Sequence, residues 1–286
     1  MPAHKLALVA LLGTVAAAGP AAATPSTVVW APSTPVAQGF AVPHLTYDTY
    51  FWKGPVPGVA GSPVYPVDLG LTMGVLPLSM LGLEVGFDLM LPSETPALFN
   101  GKLALPEDAF FRGQPGVGFG IFGVGTDRSG ESRTDYDVVY GMVGKTIPWV
   151  GGFAAVGYYY AIGEHLFTLP DGSVHRAGLI ASLTAPEIVV GRTWLQKIVF
   201  AADVQTGSNA FGAAGLAASF YFTSAVSLLT GPICFLEPSV QPGGGRWMWT
   251  AQIDVDFDLR PPEPAPAPEP APAPEPSAGP PSSPRD

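Results

Sequence analysis

The chain has 286 residues, with one cysteine, 35 glycines and 33 prolines; 47% are hydrophobic and 13% charged, about half the charged share of an ordinary soluble domain. With 13 Lys and Arg against 23 Asp and Glu there is no basic stripe for phosphates, so a nucleic-acid partner is disfavoured. A single Cys234 excludes an intramolecular disulfide framework.

The opening, MPAHKLALVALLGTVAAAGPAAA, places His4 and Lys5 before an apolar run from Leu6 to Ala18 and a small-residue site at Ala21 to Ala23. This is the pattern of a cleaved signal peptide over residues 1–23. Residues 24–43 contain several prolines and read as irregular. From residue 44 onward the chain breaks into strand-length segments near 44–52, 65–76, 83–91, 98–105, 116–125, 136–146, 152–162, 176–185, 197–205, 210–222, 225–233 and 247–258. That is about twelve strands, within a range of 10 to 14, each of the length that spans a bilayer when tilted. Turn chemistry separates them: SETPA at Ser93, LPDGS at Leu169, TGSN at Thr206 and EPSVQPGGGR at Glu237. The end, 260–286, is a Pro, Ala and Glu repeat that favours extended polyproline II and cannot build a core, so it is expected to be a disordered periplasmic tail. Residues 24–260 keep 11 of the 13 Lys and Arg and 19 of the 23 Asp and Glu, a net of −8.

The segment VDLGLTMGV shows the pattern most cleanly. Val67, Leu69, Leu71, Met73 and Val75 share one face of an extended chain, and Asp68, Gly70, Thr72 and Gly74 share the other. A soluble sheet would turn the apolar face into a core; a membrane barrel would turn it to lipid. The polar faces decide for the barrel, because they are mostly Gly, Ala, Thr, Ser and Asp rather than the Lys, Glu and Arg of a solvated face. Leu69, Leu71, Val85, Phe87, Ile253, Val255 and Phe257 are then the lipid-facing set, and Trp52, Tyr136, Trp149, Tyr159, Trp247 and Trp249, near segment ends, are expected to form interfacial girdles.

Signal, alternating segments and the closing strand WTAQIDVDFDL, Trp249 to Leu259, together resemble the bacterial outer-membrane β-barrel proteins over residues 44–258. The resemblance implies an all-β, up-and-down antiparallel transmembrane barrel over 44–259, resident in the outer membrane of a Gram-negative bacterium. It does not imply one activity, since such barrels serve as pores, transporters, receptors, enzymes and structural proteins. Barrels of this kind commonly end on an aromatic residue like Phe257, whereas this chain runs on through Asp258 into its tail.

Catalytic and metal chemistry is thin. His165 and His175 share a loop with Glu164 and Asp171, but their spacing matches no recognised metal motif. His44, at the start of the first strand, reads as a polar strand end rather than a base. GVGFGIFGVG at Gly116 lacks the Lys-Ser/Thr of a phosphate loop and reads as strand glycines. Asp254, Asp256 and Asp258 alternate along a strand, too far apart for one calcium ion without a third element. No catalytic group, cofactor or metal is therefore assigned, and no enzyme.

The charge constellation says more. In a closed barrel the last strand pairs with the first, so Asp48, Asp68, Glu84, Asp88, Asp254 and Asp256 would form an acidic wall across adjacent strands, with Lys102 and Lys145 as inward counter-charges and Asp203 also on the lumen side. Such a lining suits a narrow, passive, porin-like path for small solutes or ions that favours cations. The alternatives are a polar network filling a plugged, non-conducting structural or binding barrel, with loops 53–64 and 234–246 as its recognition surface, and an inner-membrane helical protein built on the uncharged run Val204 to Leu236.

Overall fold

A computed structural model describes residues 27–52, 67–91, 97–128, 134–241 and 244–260. The strands are β1 (His44–Trp52), β2 (Val67–Gly74), β3 (Gly82–Leu91), β4 (Ala97–Leu105), β5 (Gly116–Gly125), β6 (Asp135–Ile147), β7 (Gly152–Ala161), β8 (Ala177–Thr184), β9 (Ile188–Arg192), β10 (Leu195–Gln205), β11 (Ala213–Tyr221), β12 (Val226–Phe235) and β13 (Trp247–Asp256). Every pairing is antiparallel, β1 pairs with β13 over its whole length, and β10 pairs with both β8 and β11. Twelve strands thus close into an up-and-down barrel, the all-β architecture expected from the alternating segments. The loop 53–64, the signal segment and the tail after residue 260 lie outside the described residues.

The end of the barrel where β1 begins and β13 finishes is called proximal here, the opposite end distal. Two proximal connections, 106–115 and 186–196, are longer than hairpin turns need to be, and neither adds a barrel strand. In the first, Asp108 accepts the Gly113 N–H at 2.6 Å, and Lys145 reaches Glu107 and Asp108 at 2.9 and 3.3 Å. The Gly113 donor, followed by the Lys145 ammonium, holds the Asp108 carboxyl below the usual carboxylate range. In the second, β9 folds back on an extension of β10 and projects as a short hairpin. The uncharged run Val204 to Leu236 is the end of β10, then β11 and β12, and no helix of the described residues is long and apolar enough to cross a membrane. The inner-membrane helical reading is corrected on that ground: Gly212, Gly215, Gly231 and Pro232 break a helix, while the alternating burial of β11 and β12 suits strands.

Alternation places the apolar set outside. In β2, Asp68, Gly70, Thr72 and Gly74 are buried while Val67, Leu69, Leu71 and Met73 alternate with them toward the outer surface. Val85, Phe99, Leu103, Phe119, Val156, Leu183, Leu216 and Ile253 are exposed on the outer wall. Closure of β1 on β13 leaves the twelve-stranded ring without an unpaired edge strand, so the outer wall can face hydrocarbon.

The interior is filled. Residues 27–38 run inside the barrel, and Val28, Val29, Ala31, Ser33 and Thr34 are each at most 2% exposed. Pro32 and Pro35 lack an N–H and keep this stretch out of the sheet; the Val29, Trp30, Ala31 and Gln38 N–H groups donate to carboxylates of the wall, and those of Val28 and Ser33 to the Ala31 carbonyl within the segment. Distally, a second layer forms against β5 to β8, where Phe167 stacks on Phe211 at 5.4 Å and Phe211 packs edge-on to Phe122 and Tyr136.

Candidate functional site

The inner surface of β1 to β4 and β13 carries the charges. Register sets Asp48 opposite Asp68, Glu84 opposite Lys102, and Thr46 opposite Asp254. Asp48, Asp68, Glu84, Asp88 and Asp254 are all buried inside the barrel. Asp48 accepts from Thr46 Oγ1 at 2.7 Å, Asp88 from Asn100 Nδ2 at 2.5 Å and Asp254 from Ser227 Oγ at 3.2 Å. Lys102, 1% exposed, is the one Lys or Arg buried in the barrel among the described residues; its Nζ lies 3.4 Å from a Glu84 oxygen and donates to the Thr34 carbonyl.

His44 stands at the proximal mouth between two carboxylates, with Nδ1 3.0 Å from Asp256 and Nε2 3.4 Å from Asp254. Gln38 joins it: its N–H donates to Glu84 at 2.8 Å and its Nε2 to Asp256 at 3.0 Å. His44, read from sequence as a strand end, is thus buried in the acidic wall. Its alternation with Thr46 and Asp48 on one face was the available signal.

Asp203 is the second centre, on the opposite wall. One of its oxygens accepts the N–H groups of Val29, Trp30 and Ala31 at 2.8, 2.9 and 2.9 Å and the Ser33 hydroxyl at 3.2 Å. Further bonds hold the same stretch: Ser182 Oγ donates to the Ser33 carbonyl at 2.6 Å and Gln252 Nε2 to the Val29 carbonyl at 3.1 Å. Trp30 donates through Nε1 to the Phe211 carbonyl and packs edge-on to Phe235 and Tyr50. The strand glycines flagged at Gly116 gain a role here. A Cβ at Gly118 would lie 2.9 Å from Pro35 Cα, and one at Gly215 would lie 2.7 Å from Val29. The wall is bare where the internal segment rests against it.

Three residues differ from the sequence assignment. Lys145 is on the outward parity of β6, at the proximal rim, bonded to Glu107 and Asp108 rather than facing inward. Tyr159 is completely buried in the interior, donating its hydroxyl to the Thr206 carbonyl at 2.6 Å, and Tyr136 packs against Phe211, so neither belongs to an outer girdle. The cause is common to all three: the inner face of β5 to β8 is itself apolar, with Phe122, Val138, Tyr140, Met142 and Ile180, so hydrophobicity alone does not say which face is out. Trp149, Trp247 and Trp249 are exposed, Trp149 at 87%. Trp52 and His165 have side chains outside the described set. Asp256 is part-exposed beside His44, and among the described residues no group of three His, Cys, Asp or Glu is arranged to hold a metal ion.

A closed antiparallel barrel with an apolar exterior and charged groups buried inside is the construction of a membrane-spanning β-barrel. No protein-family model matches the chain, and no curated protein matches it. Among solved structures it is similar to an outer-membrane channel from Pseudomonas putida F1, with 10% identity over 79% of this chain and 97% of that one and a TM-score of 0.43. The Salmonella typhi OmpF complex with daunomycin gives 9% identity over 76% and 96%, TM-score 0.36. A mutant of the Rh. blastica porin gives 11% over 66% and 55%, TM-score 0.37. Likenesses at these scores carry no argument about this chain's use.

Proposed function

We propose that the protein is a porin-like barrel of the outer membrane of a Gram-negative bacterium, a passive route for small solutes or ions in which cations are favoured. The observation that carries this reading is the imbalance of inward charge: five buried carboxylates on β1 to β3, β10 and β13 (Asp48, Asp68, Asp88, Asp203, Asp254) stand beside a single Glu84–Lys102 pair and His44. Buried charges are expensive in a permanent core, and carboxylate-lined bores favour cations. Lipid is the partner of the outer wall, and the reading assigns no catalysis, cofactor or metal. Refolded protein in a planar bilayer under a salt gradient tests it. A small conductance with a reversal potential toward the cation value is expected; an anion-selective conductance would overturn the charge argument. The packed interior favours a second reading, a non-conducting structural barrel, and complete silence of the full-length chain and of the variants below would establish that one.

A further inference from the structure

Residues 27–38 sit in the barrel like a ligand in a site. They form no strand, and the wall binds them through side chains on separated strands: Lys102 on β4, Ser182 on β8, Asp203 on β10 and Gln252 on β13. Four donors converge on one oxygen of the buried Asp203, while its other oxygen, Oδ1, has no hydrogen-bond partner. The segment buries Val28, Val29 and Ala31 against the wall and packs Trp30 on Phe235 and Tyr50, so its exit costs apolar burial, while its backbone groups, held by polar side chains of the wall, would re-solvate outside. Gly118 and Gly215 supply the bare wall it occupies. At the proximal mouth a cavity of about 300 Å³ is lined by residues 35–40 together with the 76–82 turn and the 105–107 loop, although Ala37 packs close to Gly82.

The attachment point is built differently from the segment. The Ala41 N–H donates to the Gly74 carbonyl at 3.1 Å, and the Ala41 carbonyl accepts from Leu259 N–H at 3.0 Å. Ala41 has a φ of 55°, so the chain turns sharply between the fixed rim and the internal stretch. The rim is therefore held by bonds independent of those that hold the internal stretch.

We propose that residues 27–38 are a displaceable plug, latched by the Asp203 carboxylate, whose withdrawal through the proximal mouth opens the cation-favouring path. This rests on the channel reading and adds its gate. The segment also ties down what lies beyond it: Trp30 holds the 206–212 loop through the Phe211 carbonyl and packs on Tyr50, next to Asp48. Its departure would free both the acidic wall and the distal aromatic layer.

The test uses single-channel recording of the full-length protein, of Asp203→Ala, and of Ser33→Cys with Ser182→Cys in a Cys234→Ser background. Wild type is expected to be mostly closed with brief openings. Asp203→Ala strips the acceptor from three N–H groups and is expected to raise the open fraction about tenfold or more, the scale of one charge-assisted hydrogen bond. Oxidising the cysteine pair, whose parent side chain and backbone touch at 2.6 Å, should abolish openings, and reductant should restore them. Should Asp203→Ala fail to fold, the cross-link alone decides. Steady wild-type conductance that the cross-link leaves unchanged would overturn the plug while leaving the channel reading intact. An unchanged open fraction in folded Asp203→Ala would remove Asp203 as the latch. Silence of every form, including a folded chain lacking residues 27–38, would overturn the channel reading itself.

Discussion

Lys102 shows what a buried charge demands of its surroundings. Its ammonium has Glu84 at 3.4 Å and the Thr34 carbonyl at 3.5 Å, so removing one member leaves the other uncompensated. Lys102→Met is expected to cost about 3 to 5 kcal/mol, and adding Glu84→Gln should recover part of the loss because the glutamine still accepts from Gln38. Urea midpoints of the refolded single and double variants check this; additive losses would mean that the two groups do not interact. Gly120 makes a complementary case. A Cβ there would fall 2.4 Å from the Tyr140 ring, so Gly120→Val should cost about 1 to 3 kcal/mol by overpacking, read as a shifted midpoint. The importance of neither residue is visible locally: Lys102 was legible as inward from its parity with Asn100 and Ala104, but its partner Thr34 lies 68 residues away. Gly120 reads only as one glycine among many until Tyr140 is placed beside it.

Strands are the scale at which sequence and structure agree best. Alternation located β1 and β5 to the residue and most others within three, because a period of two is a local property that the chain displays wherever its two faces differ chemically. It failed where they do not differ. On β6 and β7 both faces are apolar, so alternation there does not tell that Tyr136 and Tyr159 face inward and Lys145 outward. β9, five residues of IVVGR, was hidden in a connection because so short a run has no period to read. The outer wall nevertheless yields a clean expectation. Val85 is 43% exposed at mid-strand on β3, and Val85→Arg should cost about 2 to 4 kcal/mol of bilayer stability. Ser224→Arg, in the exposed β11–β12 turn, should change stability by less than about 0.5 kcal/mol. Folding titrations into lipid vesicles compare the two, and equal tolerance would deny that Val85 faces hydrocarbon.

At the scale of the whole molecule, burial of residues 27–38 depends on contacts as remote as Asp203 and Gln252, 174 and 223 residues along the chain. No sequence window spans that distance, so TVVWAPSTPVAQ read only as irregular. The acidic wall was more legible because barrel closure is a rule: once an even number of strands is accepted, the last must lie beside the first, and Asp254 must neighbour Thr46. The wall also sets the last expectation. Asp68, Asp88 and Asp254 lie on β2, β3 and β13, so on the proposed channel reading their fields would add across one side of the lumen and give an open state a negative potential. Replacing all three with Asn preserves size, hydrogen-bond acceptors and the Asn100 and Ser227 contacts while deleting three charges. Openings should persist, and the reversal potential in a salt gradient should move toward zero. Raising the salt should shrink the proposed cation preference as well, because screening shortens to about 3 Å near 1 M, less than the distance between strands. A triple variant whose reversal potential matches wild type would place the permeating ion elsewhere in the barrel.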